Sequence, residues 1–155
     1  RIPIKPAEPR RDIGAEPSEN EKPALIIFIG KKGPKIAVFD FEGSYASELV
    51  DMLIQTLSLD YRVYTREGLQ ETLAEKELKD IEVNRVSAKK IAKEIGVEYF
   101  LTGNVKGTEV CVVSIFLRDG STGEIILIHN ERLKNKEELG RVVKNIVAQI
   151  KKKTK

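Results

Sequence analysis

The sequence predicts a mixed α/β domain, α+β-like in its order: a β-sheet of about five to six strands with helices packed on it, preceded by a linker. Two observations carry this. Short apolar runs bounded by glycine, the pattern of strands, alternate with longer stretches whose apolar residues recur at i, i+3, i+4 and i+7, the helical period. Towards the C-terminus three strand-like runs follow one another with only turns between them. A β-α-β opening followed by a meander builds a sheet with both parallel and antiparallel neighbours.

Five of the six prolines, Pro3, Pro6, Pro9, Pro17 and Pro23, lie at the front of the chain. Residues 1–23 carry too little apolar surface to offset their ordering entropy, and read as a semi-extended, disordered linker. Residues 24–155 read as one domain. The run Ala24-Leu25-Ile26-Ile27-Phe28-Ile29 ends at Gly30, and Gly33-Pro34 precedes a second run, Lys35 to Phe41. The simplest reading is a hairpin through Gly30–Pro34. Ser44 is expected to cap a helix with the apolar stripe Ala46, Leu49, Val50, Leu53, Ile54 and Leu57.

Tyr61 to Thr65 reads as the next strand, with Thr65 capping a second helix to about Leu78, Leu69 and Leu73 inward. A third helix is expected from Ser87, with Val86 and Ile91 at the spacing of a hydrophobic staple and Gly96 as its left-handed stop. Strands over Val97–Lys106, Glu109–Arg118 and Glu124–Leu133 follow, joined by Gly107-Thr108 and by the loop Asp119–Gly123. Asn135 and Glu138 read as a capping pair for the last helix, whose face is Leu139, Val142, Val143, Ile146, Val147 and Ile150. Its basic end is expected to fray.

Composition removes much familiar chemistry. A single cysteine, Cys111, excludes an internal disulfide and a cysteine-built metal site. A single histidine, His129, removes most zinc sites and Ser/His/Asp catalysis. The apolar run Ala24–Ile29 is far short of the roughly 20 residues a membrane-spanning helix needs. The net charge is +3, but Lys151, Lys152, Lys153 and Lys155 crowd the C-terminus, so the remainder is near neutral. No aromatic interleaves those lysines, and no specific nucleic-acid partner is expected. Abundant Lys, Glu and Ile with few Gln, Met and Cys matches a thermophilic prokaryote.

The remaining candidates read as structure more readily than as chemistry. Asp40 and Glu42 share one sheet face before a helix and could meet a divalent cation, but no third ligand is evident and a polar turn explains them. Gly30 to Lys35 lacks phosphate-loop spacing and no helix follows it. His129 has no ligand-spaced neighbours, and Cys111 sits in a valine-rich strand as a small hydrophobe. No catalytic, cofactor-binding or metal residue is assigned.

Several stretches together resemble one superfamily, that of the TolB amino-terminal domain, the curli-secretion lipoproteins and the penicillin-binding-protein activator lipoproteins. They are Lys35-Ile36-Ala37-Val38-Phe39-Asp40-Phe41, Tyr61 to Leu69 with Arg66 at the step into a helix, Leu73 to Leu78, the run from Ala92 to Gly103, and the turn Asp119 to Glu124 with Gly123. The likeness spans about Lys35 to Lys151. It implies a mixed-sheet domain without catalysis or cofactor, acting by contact with another envelope protein or with a second copy. It implies a periplasmic or envelope location, with Asp40, Arg66, Gly103 and Gly123 as structural positions. Two departures stand out: the connections are too short for the barrel-forming insertions of curli channels, and any lipidated cysteine must lie upstream of Arg1. The run Ala24–Ile29 has no counterpart in the pattern. As an edge strand on Lys35–Phe41 it would be the candidate partner-binding surface. The competing reading is a cytoplasmic nucleic-acid or nucleotide-binding module of similar fold that uses the lysine tail.

Overall fold

A computed structural model describes residues 27–154. The linker expected over 1–23, and Ala24, Leu25 and Ile26, lie outside the described residues. The chain runs β1 (Phe28–Ile29), β2 (Lys35–Val38), α1 (Ala46–Leu57), β3 (Arg62–Tyr64), α2 (Arg66–Glu75), α3 (Arg85–Ile95), β4 (Tyr99–Lys106), β5 (Cys111–Asp119), β6 (Ile125–Leu133) and α4 (Leu139–Thr154), with a 3-10 turn at Lys136–Glu138 before α4. One six-stranded sheet has the order β1-β3-β2-β4-β5-β6. Both neighbours of β2 are parallel to it, and the remaining pairs are antiparallel. The expected mixed sheet is therefore present.

The hairpin is not. β1 pairs with β3, Phe28 opposite Tyr64 and Ile29 opposite Val63, so β3 lies between β1 and β2. The connection Gly30–Pro34 crosses the start of β3 instead of folding back. A Cβ on Gly30 would stand 2.1 Å from the Tyr61 carbonyl oxygen, and one on Gly33 2.0 Å from that of Asp60. Both glycines have positive φ, so they supply the close crossing as well as the turn. Apolar run, glycine turn, apolar run is a local pattern common to both topologies. The partner is decided by β3, which offers β2 a parallel neighbour as well.

The helices sort to two faces. α1 and α4 cover one, where Leu49, Leu53, Val142 and Ile146 meet Ile36, Val63, Leu101, Val113, Ile115 and Leu117. α2 and α3 cover the other, with Leu69, Leu73, Ala88 and Ile91 against Ala37, Tyr64 and Phe100. The six inward positions expected on α1 and the six expected on α4 are all buried.

Several helix ends differ from expectation. The residue capping α1 is Tyr45, in the left-handed region at φ 61°, and its side chain makes no capping bond. Ser44 belongs to the preceding turn. α3 begins earlier than Ser87: Asn84 accepts from the amides of Val86 and Ser87, and the Ser87 hydroxyl accepts from the Asn84 amide, a reciprocal box. Val86 is 76% exposed, so no staple forms. Asn135 makes no side-chain cap, whereas Glu138 reaches back to the Lys134 amide at 2.8 Å. Thr65 caps α2 through the Gly68 amide, and Gly96 ends α3 at φ 75°, both as expected. The basic end of α4 stays helical through Thr154, with Ile150 fully buried and Lys151 bonded to Asp60 at 2.6 Å. The Thr154 hydroxyl also meets that of Tyr61. The buried side chain and these contacts hold a turn that composition alone leaves free.

Candidate functional site

Asp40, just beyond β2, and Arg66, the first residue of α2, meet in an ion pair. The guanidinium donates to Asp40 at 3.1 Å, to Asp51 of α1 at 3.1 Å and to the Ser47 hydroxyl at 2.9 Å. Gln70 donates to the second Asp40 oxygen at 2.7 Å. Partial burial works against the Arg66 charge, but the bonds and fields of Asp51 and Asp40 outweigh it and raise its pKa. The cluster lines an open cleft of about 940 Å³ between α1 and α2. Each carboxylate is already committed to a donor, so the arrangement clasps α1, β2 and α2 together at the carboxyl ends of the parallel strands. Glu42 lies apart, its carbonyl accepting from the Val105 amide. Among the described residues no group of three His, Cys, Asp or Glu could hold a metal ion.

Gly103 and Gly123 are points of close approach. A Cβ on Gly103 would meet the Ser114 carbonyl oxygen at 2.6 Å and the Phe41 ring at 2.8 Å. Gly123, at φ 77°, lies under the Arg85 carbonyl and accepts from Arg118 at 2.7 Å. His129 and Glu131, two apart on β6, bond to each other at 2.6 Å. Glu131 also accepts from Arg141 and Asn145 of α4. Cys111 is buried.

The largest feature unread in the sequence is a sheet face. The described helices α2 and α3 reach across β1, β3, β2 and Phe100 of β4, and α3 also lies over the β5–β6 turn at Gly120 and Gly123; neither covers the rest of β4, β5 and β6. From there Thr102, Val112, Ser114, Phe116, Ile128 and Asn130 share a face that no described helix covers. Val112 is 39% exposed, Ile128 60%, and Ile125 beside them 40%. The Ser114 hydroxyl bonds Asn130 at 2.7 Å within it. The face ends at β6, a nine-residue strand at the sheet's edge. The other edge is β1, so Phe28 and Ile29 occupy an edge on β3 and not on β2. Ile27 precedes them, its carbonyl accepting from the Thr65 amide at 2.7 Å. The signal was available: the runs Val112–Leu117 and Ile125–Ile128 are apolar at both parities, while one more helix remains to cover them.

The family described as curli production assembly/transport component CsgG matches residues 30–115, more than half of the chain. The chain belongs to the CsgG family. The CsgG match runs from the loop before β2 into β5, so β6 and α4 lie outside it. No curated protein matches the chain in sequence. Solved structures share the fold. The LpoB C-terminal domain from Salmonella enterica superposes with a TM-score of 0.56 at 23% identity, over 66% of this chain and 84% of that one. Lipoprotein GNA1162 from Neisseria meningitidis gives 0.57 at 20%, over 76% and 96%. TolB from Acinetobacter baumannii gives 0.53 at 15%, over 77% of this chain and 28% of that one. The resemblance to the superfamily thus holds in sequence for the curli component and in fold for the LpoB and TolB structures. Among the described residues, no helix is long and apolar enough to cross a membrane.

Proposed function

We propose that this CsgG-family chain is a non-enzymatic interaction domain of the cell envelope that tethers, assembles or regulates a larger protein complex. The observation that carries the reading is the half-covered sheet: Val112, Phe116, Ile125 and Ile128 form an apolar patch rimmed by Ser, Thr and Asn. Such a patch on a folded domain marks a surface for contact. The family description and the lipoprotein named among its structural neighbours support an envelope location. The run Ala24–Ile29 is a second contact candidate, through the outer backbone groups of its described part, the edge strand β1 at Phe28–Ile29.

Site-specific photo-crosslinking tests this. A photoreactive residue at Phe116 or Ile128 in the full-length gene product should give defined protein adducts in the envelope fraction, while one at exposed Glu94 on α3 should not. Equal labelling from all three positions, or recovery of the protein solely with the cytosol, would overturn the reading.

A further inference from the structure

We infer that β6 is a self-pairing edge: two copies of this chain join antiparallel through it, with Asn130 on the twofold axis. The inference concerns self-association and stands independently of the envelope reading.

The backbone sets which residues can pair. Asp119 of β5 donates its amide to the Glu124 carbonyl, so the odd-numbered residues of β5 turn their backbone groups toward β6. Their partners Leu127, His129, Glu131 and Leu133 are thereby used within the sheet, and Ile128, Asn130 and Arg132 turn outward. The Arg132 carbonyl agrees with this direction, because it accepts from the Arg141 side chain at 3.1 Å. That carbonyl keeps a second lone pair.

Edge strands commonly deter strange partners with inward-pointing charge. Here His129 and Glu131 point to the helix side, half-buried. Bonded to each other and to Arg141 and Asn145, they deter a strand of arbitrary sequence, but one strand sets complementary groups beside them: β6 read in the opposite direction. With Asn130 facing its copy, His129 lies opposite Glu131 of the second copy, Leu127 opposite Leu133, and Ile128 opposite the aliphatic stem of Arg132. Each of those pairs occurs twice. Directly opposed side chains in an antiparallel pair are close enough for such matches to count. The two adjacent registers fail. Centring on His129 sets Leu127 against Glu131, and centring on Glu131 opposes two carboxylates. Ile128, the most exposed large apolar residue on the open face, is also the one the self-paired register covers.

Sedimentation velocity on the full 155-residue chain, across the micromolar to millimolar range, tests this. The native chain should show a concentration-dependent monomer–dimer equilibrium. Ile128→Lys places a lysine opposite Arg132 and should weaken the dimer about tenfold, since like charges then oppose twice. Ile128→Glu faces the same arginine and should leave the dimer at least as strong. Asn130→Pro removes the outward amide at the axis, where an edge strand tolerates proline, and should abolish dimerisation with the circular dichroism unchanged. A monomer at every concentration overturns the proposal. So does equal weakening by the lysine and glutamate variants, or a dimer that the lysine variant leaves intact.

Discussion

Tyr64 ends β3 with its ring against Phe28, centroids 4.2 Å apart, and its hydroxyl donating to the Ile95 carbonyl at 2.6 Å. Burial pushes this phenol above its ordinary value, a bond with Thr72 acting the other way. Tyr99 moves in the same direction through burial and the nearby Asp119 and Glu98. A raised value means that the folded protein holds the proton more tightly than the unfolded chain. The contribution is therefore full below about pH 10 and is lost as pH rises through the folded value. Denaturant melts should show stability falling above about pH 10, less steeply in Tyr64→Phe. At neutral pH that variant should cost about 1–2 kcal/mol, because it strands the Ile95 carbonyl in a buried place. Gly103→Ala acts by shape. Its methyl meets the Ser114 carbonyl oxygen, which cannot move without its strand, and should destabilise by about 1–3 kcal/mol in the same assay.

The helices α1 and α4 share the larger core, and their apolar stripes pack against each other as well as on the sheet. Leu53→Ala should cost about 2–4 kcal/mol and Val143→Ala about 2 kcal/mol in equilibrium unfolding, since both side chains are buried within that layer. Losses below about 0.5 kcal/mol would mean that the layer relaxes around the missing atoms. These faces were legible because helical periodicity is written within a dozen consecutive residues. Strand order was not. Phe28 and Ile29 carry no local mark that names β3 over β2 as their neighbour, and the crossing glycines Gly30 and Gly33 look the same in either topology. The candidate site divides similarly. Asp40 and Arg66 could be named from their motifs, whereas Asp51, Ser47 and Gln70 join them only through the packing of α1 and α2. The open face is marked in the sequence by apolar residues at both parities of β5 and β6, but its extent is not, because it depends on where α2 and α3 stop.

For the whole molecule the deciding balance is between an apolar sheet face and a basic helix end. The chain's net charge of +3 suits weak attraction to polyanions, and its densest run of lysines, Lys151, Lys152, Lys153 and Lys155, is at the C-terminus. The fold narrows what that end can do. Lys151 is bonded to Asp60, leaving Lys152 and Lys153 exposed on the last turn of α4. Even if Lys155 joins them, about three phosphates could be neutralised, which sets a log–log salt slope near −3 for duplex DNA, with about −2 if only the exposed pair engages. Such binding carries no sequence information, because phosphate contacts position a protein while base contacts specify. Fluorescence anisotropy with duplexes of unrelated sequence should therefore give equal, weak affinities that vanish by about 0.15 M salt, where charge attraction is screened within about 8 Å. Ile128→Glu should leave those affinities unchanged while Lys152→Ala with Lys153→Ala removes them. Sequence-selective binding that survives that salt would place the function at the helix end and displace the open face from the role argued for it.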